Sequence, residues 1–182
     1  SLAVNPEIDY VEVKVKSDEQ PIVLAKNAIK YLGDDKVEVL RAFKGDELVG
    51  LKFETCFPEF EAQQGVDHSI VAWEDVAADE GTGIAPGGGV EDYELGLRLG
   101  LAQIMPVDDM GLFLDKFGWM TGKNSHDIAD EVFQKLEEAG KLYKVMEYEH
   151  SYPVCWRCKS EVIFRLVPAW YIRTQELKPR LI

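Results

Sequence analysis

The stretch GTGIAPGGGVEDYELG, residues 81–96, places five glycines before an acidic pair, Glu91 and Asp92, and a sixth just after it. Exposed backbone N–H groups and a helix N-terminus attract anions. Acidic side chains in the first turn would repel a phosphate, however, and neither a Walker pattern nor a dinucleotide-binding fingerprint follows. We therefore predict that a ligand lies against the bare backbone and that Asp92 meets a cationic group.

Two other interpretations of the acidic pair stay open. An acid at the start of a helix can cap free backbone N–H groups without any ligand. A paired-carboxylate glycosidase is a weaker alternative, because adjacent residues on a helix point about 100° apart and flank one bond poorly. The glycines favour the ligand-binding interpretation, since they cost conformational order that a close backbone approach would explain.

Cys155 and Cys158 form one Cys-x-x-Cys pair within CWRC. Two thiolates on a tight turn make half of a tetrahedral zinc site, and a structural site needs four ligands. The other possible ligands stand at no obvious partner spacing: Cys56, His68, His126 and His150. Two hypotheses remain: a half-site completed by residues outside this chain, and a complete zinc site within it that would build an interaction domain.

Charge and composition limit the class of protein. The 182 residues carry a net charge of −13, and residues 51–110 hold thirteen acidic side chains against two basic ones, Lys52 and Arg98. Such a surface does not bind a phosphate backbone unaided. Three cysteines make no disulfide framework, and no apolar run is long enough to span a membrane, so we expect a reducing, cytoplasmic setting. A start at Ser1 predicts an internal part of a longer protein.

The hydrophobic periodicity predicts the elements that position these residues. It indicates an α+β fold. The length of 182 residues fits one domain, or one domain with a small appendage. A helix begins near Glu91, directly after the glycines, and an amphipathic helix is expected over 125–139, with Asn124 or Ser125 as its cap. Strands are predicted over 10–16, 37–43, 69–73, 101–107, 141–148 and 161–167, a turn over 108–111, and a short helix from 26 to Gly33, following PIVLA.

Several motifs together resemble one known family. EGTGI, APGGGVEDYELG, MPVDDMG and GWMTGK are similar, in this order, to successive motifs of the editing (CP1) insertion of isoleucyl-tRNA synthetases. HSYPVCWRCKSEVIFRLVPAWYI, residues 150–172, resembles the segment that closes this insertion. LAVNPEIDYVEV resembles the stretch that follows the family's threonine-rich strand. The resemblance covers nearly the whole chain.

The resemblance implies a fold and an activity. The implied fold is the β-barrel-like editing domain of class I aminoacyl-tRNA synthetases with a few peripheral helices, made of a core (1–149) and a connective segment (150–182) that carries the cysteine pair. The implied activity is hydrolysis of Val-tRNA(Ile) by an isoleucine–tRNA ligase. The implied partners are the 3′ end of tRNA(Ile) carrying valine and the rest of the synthetase chain, with no membrane.

The resemblance also implies site residues. Asp92 matches the carboxylate that holds the α-ammonium group of the substrate, and Gly81, Thr82 and Gly83 match backbone that lines the same pocket. Editing needs no cofactor, and zinc would bind Cys155 and Cys158 only with partner cysteines from elsewhere in the full-length protein. Relatives carry a Val-His-Ile-like triplet where Ile84 is followed directly by Ala85. The alternative function is therefore a catalytically impaired module that only binds or supports.

Overall fold

The computed structural model describes residues 1–15, 20–33, 37–87, 89–147 and 151–180. The strands are β1 Leu2–Val4, β2 Asp9–Val15, β3 Ile22–Ala25, β4 Val37–Lys44, β5 Ile70–Ala72 and β6 Ile84–Ala85. The α-helices are α1 Val90–Leu99, α2 Ala129–Glu138 and α3 Thr174–Leu177. Short 3-10 helices cover Lys26–Leu32, Gly45–Leu48, Glu61–Gln63, Gly118–Met120 and Lys178–Arg180.

Strand β2 is the centre of the main hydrophobic core. It pairs antiparallel with β3 on one side and with β4 on the other. Val11, Val13 and Val15 are at most 1% exposed, as their alternation predicts, and Tyr10 is fully buried beside them. Burying β-branched side chains on a pleated surface contributes about 1.5–3 kcal/mol each. This sheet is therefore a rigid support for whatever packs on it.

A second sheet carries the chain into the glycine-rich stretch. Its order is β5-β1-β6, with β1 parallel to β5 and antiparallel to β6. Helix α1 follows β6 and buries Leu95 against Ala3 and Val76 in a small separate cluster. These contacts fix the start of α1 next to the sheet, close to where the glycines end.

The predicted helices are present, with changed boundaries. Helix α1 begins one residue before the predicted Glu91 and ends at Gly100, whose left-handed φ of 66° lets its N–H bond back to Gly96. Helix α2 begins at Ala129 instead of 125. The Asn124 side-chain oxygen accepts a 3.0 Å hydrogen bond from the His126 N–H. Asn124 therefore organises a turn before α2 and does not cap the helix. The helix predicted before Gly33 forms as a 3-10 helix.

Three predicted strands are wrong in the described residues. Segments 101–107, 141–147 and 161–167 form no ladder, and strand pairing there is limited to isolated bridges of Val107 with Phe113 and of Val154 with Glu161. The predictions rested on apolar runs, but a strand also needs a neighbour that supplies its hydrogen bonds. No described segment does so here. The turn predicted over 108–111 is present, closed by the Gly111 N–H on the Asp108 carbonyl.

The α+β class is confirmed, with a correction to its shape. The described strands form two separate three-stranded sheets and no closed barrel. The boundary predicted between residues 149 and 150 and the candidate ligand His150 lie outside the described residues, so both stay predictions. Among the described helices, none is long and apolar enough to cross a membrane.

Candidate functional site

The glycine loop of residues 81–83 is anchored to the main core. The backbone N–H of Ala25, at the end of β3, donates to the Thr82 carbonyl at 2.8 Å. The buried hydroxyl of Tyr10 donates to the Gly83 carbonyl at 2.6 Å. Strands β2 and β3 of one sheet therefore anchor the loop on its core side, while Gly81 and Thr82 stay exposed to solvent.

Gly83 occupies a position that only glycine fits. Its φ of 71° lies in the left-handed region, and a Cβ built there would lie 2.4 Å from the Cβ of Ala25. Both the conformation and the contact exclude a side chain. This glycine is explained by close packing of the loop on the core, and it sets how near Thr82 and Gly81 sit to the sheet.

Asp92 is held by the start of its own helix. It is the third residue of α1, is half-buried, and accepts the Gly89 N–H on Oδ2 at 2.7 Å. A Cβ on Gly87, whose φ is 80°, would lie 3.8–4.0 Å from the Asp92 side chain. The capping interpretation is thus present in the structure, and the same contact gives the carboxylate a fixed position.

The structure brings all four predicted substrate-binding residues to one cavity. Asp92 and the Gly81–Gly83 loop line a cavity of about 560 Å³, and strand β6 connects them. We call this the acidic cavity, because Asp75 and Glu80 line it as well and its described lining includes no basic side chain. Carboxylates gathered in this way favour a cationic group over an anionic one.

Sequence reasoning missed Asp75, Glu80 and Trp73 as part of this site. The Trp73 indole N–H donates to the Asp75 carboxylate at 3.1 Å, and both residues follow β5 directly. A signal was present, since they belong to the strongly acidic block of residues 51–110. Nothing in the local pattern separated them from the other acids of that block.

A second cavity adjoins the acidic cavity. Its volume is about 540 Å³, and it shares Ala85, Pro86, Gly87, Gly89 and Asp92 with the acidic cavity. Its lining is otherwise mostly apolar, so we call it the apolar cavity. A ligand held by Asp92 can therefore contact both spaces.

The cysteine pair lies in a tight turn over residues 155–160. The Lys159 N–H donates to the Cys155 carbonyl at 2.9 Å, and Cys155 donates its own N–H to the Ser160 carbonyl at 2.8 Å. The pKa of Cys158 is lowered to about 7. The largest cause is its hydrogen bond with the Ser160 hydroxyl, and hydrogen bonds with the Ser160 backbone and the Cys155 thiol add to it. These groups stabilise the thiolate, the form that attacks electrophiles and binds metals.

The donor set of this turn fits only part of a zinc site. Its two sulfurs match two of the four tetrahedral ligands. The described residues contain no group of three or more His, Cys, Asp or Glu side chains that could hold a metal ion. Zinc at Cys155 and Cys158 stays a prediction that depends on ligands from outside the described chain.

Comparisons with known proteins place the fold and the family. No protein-family model matches the chain. The crystal structure of GlLeuRS-CP1 superposes on this chain with a TM-score of 0.60. The superposition covers 82% of this chain and 78% of that chain, and the two sequences are 14% identical. The fold is thus that of the CP1 domain in that structure.

The sequence relatives specify the family further. Over its whole length the chain is 38% identical to an isoleucine–tRNA ligase of Pyrococcus horikoshii and 34% identical to that of Thermococcus kodakarensis. The chain belongs to the isoleucyl-tRNA synthetase family. It spans 18% of the length of each of these relatives, so it corresponds to one segment of such an enzyme.

Proposed function

We propose that this chain is the editing domain of an isoleucyl-tRNA synthetase and that its parent function is hydrolysis of the ester bond of Val-tRNA(Ile). The observation that carries the proposal is the shared acidic cavity, in which the Asp92 carboxylate faces the same space as the Gly81–Gly83 backbone. Family membership supports it, since the chain matches isoleucine–tRNA ligases over its whole length.

The physical need for such a site follows from the size of the substrates. Valine lacks one methylene relative to isoleucine, and a hydrophobic pocket discriminates that difference by only ~1–3 kcal/mol, a limit for which isoleucyl-tRNA synthetase is the standard example. A second site that admits valine and excludes isoleucine supplies the missing accuracy. The ester to be cleaved carries a free α-ammonium group, which is the cationic group that the acidic cavity suits.

In the proposed reaction, Asp92 binds the α-ammonium group and thereby fixes the position of the ester. The oxygen of a water molecule bonds to the ester carbonyl carbon, and the bond from that carbon to the ribose oxygen breaks. The ribose oxygen takes up the proton that the water loses. The products are valine and free tRNA. We assign no general base in this chain; positioning and the neighbouring ribose hydroxyl of the tRNA supply much of the rate.

The alternative function, a catalytically impaired module, also has a specific observation behind it. Strand β6 has only two residues, Ile84 and Ala85, at the place where the resemblance calls for three additional residues that include a histidine. We therefore expect weak or undetectable hydrolysis by the isolated chain. Incubating the 182-residue chain with Val-tRNA(Ile) and following deacylation tests this expectation: clear hydrolysis would contradict the impaired module, and its absence would support it.

The role of Asp92 is tested in the full-length synthetase. Asp92→Asn keeps an oxygen that can accept the Gly89 N–H but removes the charge, so we expect deacylation of Val-tRNA(Ile) to fall about 10- to 100-fold, the range for losing a charge-assisted hydrogen bond. Glu91→Ala is the matched control, since Glu91 also stands in the first turn but lines neither cavity. Unchanged deacylation by the Asp92→Asn enzyme would contradict the assignment.

A further inference from the structure

Arg165 is an unusual residue in the wall of the apolar cavity. Its side chain is 22% exposed, and its Nε is shielded from solvent and has no hydrogen-bond partner among the described residues. One terminal nitrogen pairs with the carboxylate of Asp109, which is 86% exposed. Because the Nε is shielded, a ligand in the cavity would meet the terminal nitrogens of the guanidinium group.

The existing ion pair of Arg165 does not prevent this. A pair whose carboxylate is largely in water contributes little to stability. Arginine presents a planar fork of donors that matches the oxygens of a phosphate, and it binds them in pairs. A phosphate in the apolar cavity would therefore compete with Asp109 for the terminal nitrogens of the guanidinium group.

The position of Arg165 relative to Asp92 defines what kind of ligand would use both. Asp92 lines both cavities, and Arg165 lines the apolar one. Among the described residues that line the two cavities, Arg165 is the one basic side chain. A ligand with an ammonium group at one end and a phosphate further along would meet a group of opposite charge at each end.

We propose that Arg165 binds the phosphodiester group that precedes the terminal nucleoside of the aminoacylated tRNA. This inference rests on the proposed function, because it extends the same substrate from the acidic cavity into the apolar one. The acidic block of residues 51–110 repels a polyanion. A single guanidinium group at this place offsets that repulsion for the phosphate nearest to the ester.

The test uses two ligands that differ by one phosphate. The first is a non-hydrolysable valyl-adenosine amide, and the second is the same compound carrying a 5′-phosphate methyl ester, which mimics a phosphodiester. Dissociation constants are measured by calorimetry on the 182-residue chain. For the wild-type chain we expect the phosphate to tighten binding about 10-fold, within the range for one charge-assisted contact.

Three variants separate the contributions. In Arg165→Gln the gain from the phosphate should disappear while the first compound binds as before. Arg98→Gln removes the same charge from α1, away from both cavities, and should keep the gain. Asp109→Asn releases the guanidinium group and should increase it. Circular dichroism of each variant checks that it folds.

The outcomes distinguish this inference from the proposed function. If the first compound binds and the phosphate adds nothing in the wild-type chain, or if Arg165→Gln weakens both compounds equally, the role of Arg165 is overturned and the function stands. If neither compound binds the wild-type chain, both fall together. Loss of the gain in Arg165→Gln alone supports the inference.

Discussion

The hydroxyl of Tyr10 donates a 2.6 Å hydrogen bond to the carbonyl of Gly83, which lies 73 residues further along the chain. Tyr10 is fully buried in the main core, and its ring stacks against that of Phe43 with the ring centroids 6.4 Å apart. Burial raises the pKa of Tyr10, which keeps the hydroxyl protonated as a donor. The position of the glycine loop is thus set by the interior of the neighbouring sheet.

Removing this hydroxyl should destabilise the whole chain. Tyr10→Phe leaves the ring in place and deprives a buried carbonyl of its donor, so we expect the free energy of unfolding to fall by about 1–2 kcal/mol. Tyr31→Phe is the control, since the Tyr31 hydroxyl bonds the Asp79 carbonyl in an exposed position at 3.3 Å. Urea titration measures both changes. An equal, small effect of the two substitutions would show that the Tyr10 bond does not anchor the loop.

Gly83 provides a second test, of packing instead of hydrogen bonding. Gly83→Ala combines left-handed backbone strain of about 1–2 kcal/mol with a clash against Ala25. Gly65→Ala has nearly the same φ, 73° against 71°, but nothing lies within 4 Å of its new Cβ. We expect Gly83→Ala to be more destabilising by a further ~1–3 kcal/mol, the usual cost of overpacking. Thermal unfolding of the pair gives the difference, and equal melting temperatures would refute the close packing of the loop on β3.

The thiol of Cys158 should react at lower pH than an ordinary cysteine. Because its pKa is lowered to about 7, the thiolate fraction rises through half near neutral pH, and alkylation by iodoacetamide should reach its plateau above that pH. Ser160→Ala removes the largest cause of the shift, so its rate profile should move to higher pH. Mass spectrometry in the presence of a chelator follows the rate at each site. A profile that Ser160→Ala leaves in place would contradict the assigned cause.

Local sequence patterns correctly predicted the elements that find a pairing strand or a packing surface in the fold. The alternation of Val11, Val13 and Val15 predicted β2, and the acidic first turn after the glycines predicted α1 to within one residue. The glycines and the acidic first turn pointed to Asp92, and the family motifs pointed to Asp92 and to the 81–83 loop. The structure places both on one cavity. In each case a short stretch contained enough information, since side-chain periodicity and turn chemistry are properties of neighbouring residues.

The tertiary structure decided what depends on distant parts of the chain. The apolar runs at 101–107 and 161–167 form no ladder because no described strand lies alongside them. Asp75, Glu80 and Arg165 belong to the cavities only because the fold brings β5, the glycine loop and a distant segment together. A sequence determines which side chains are available and how each short segment prefers to fold. Pairing, enclosure and charge neighbourhood arise between segments, so they exist only once the chain has folded.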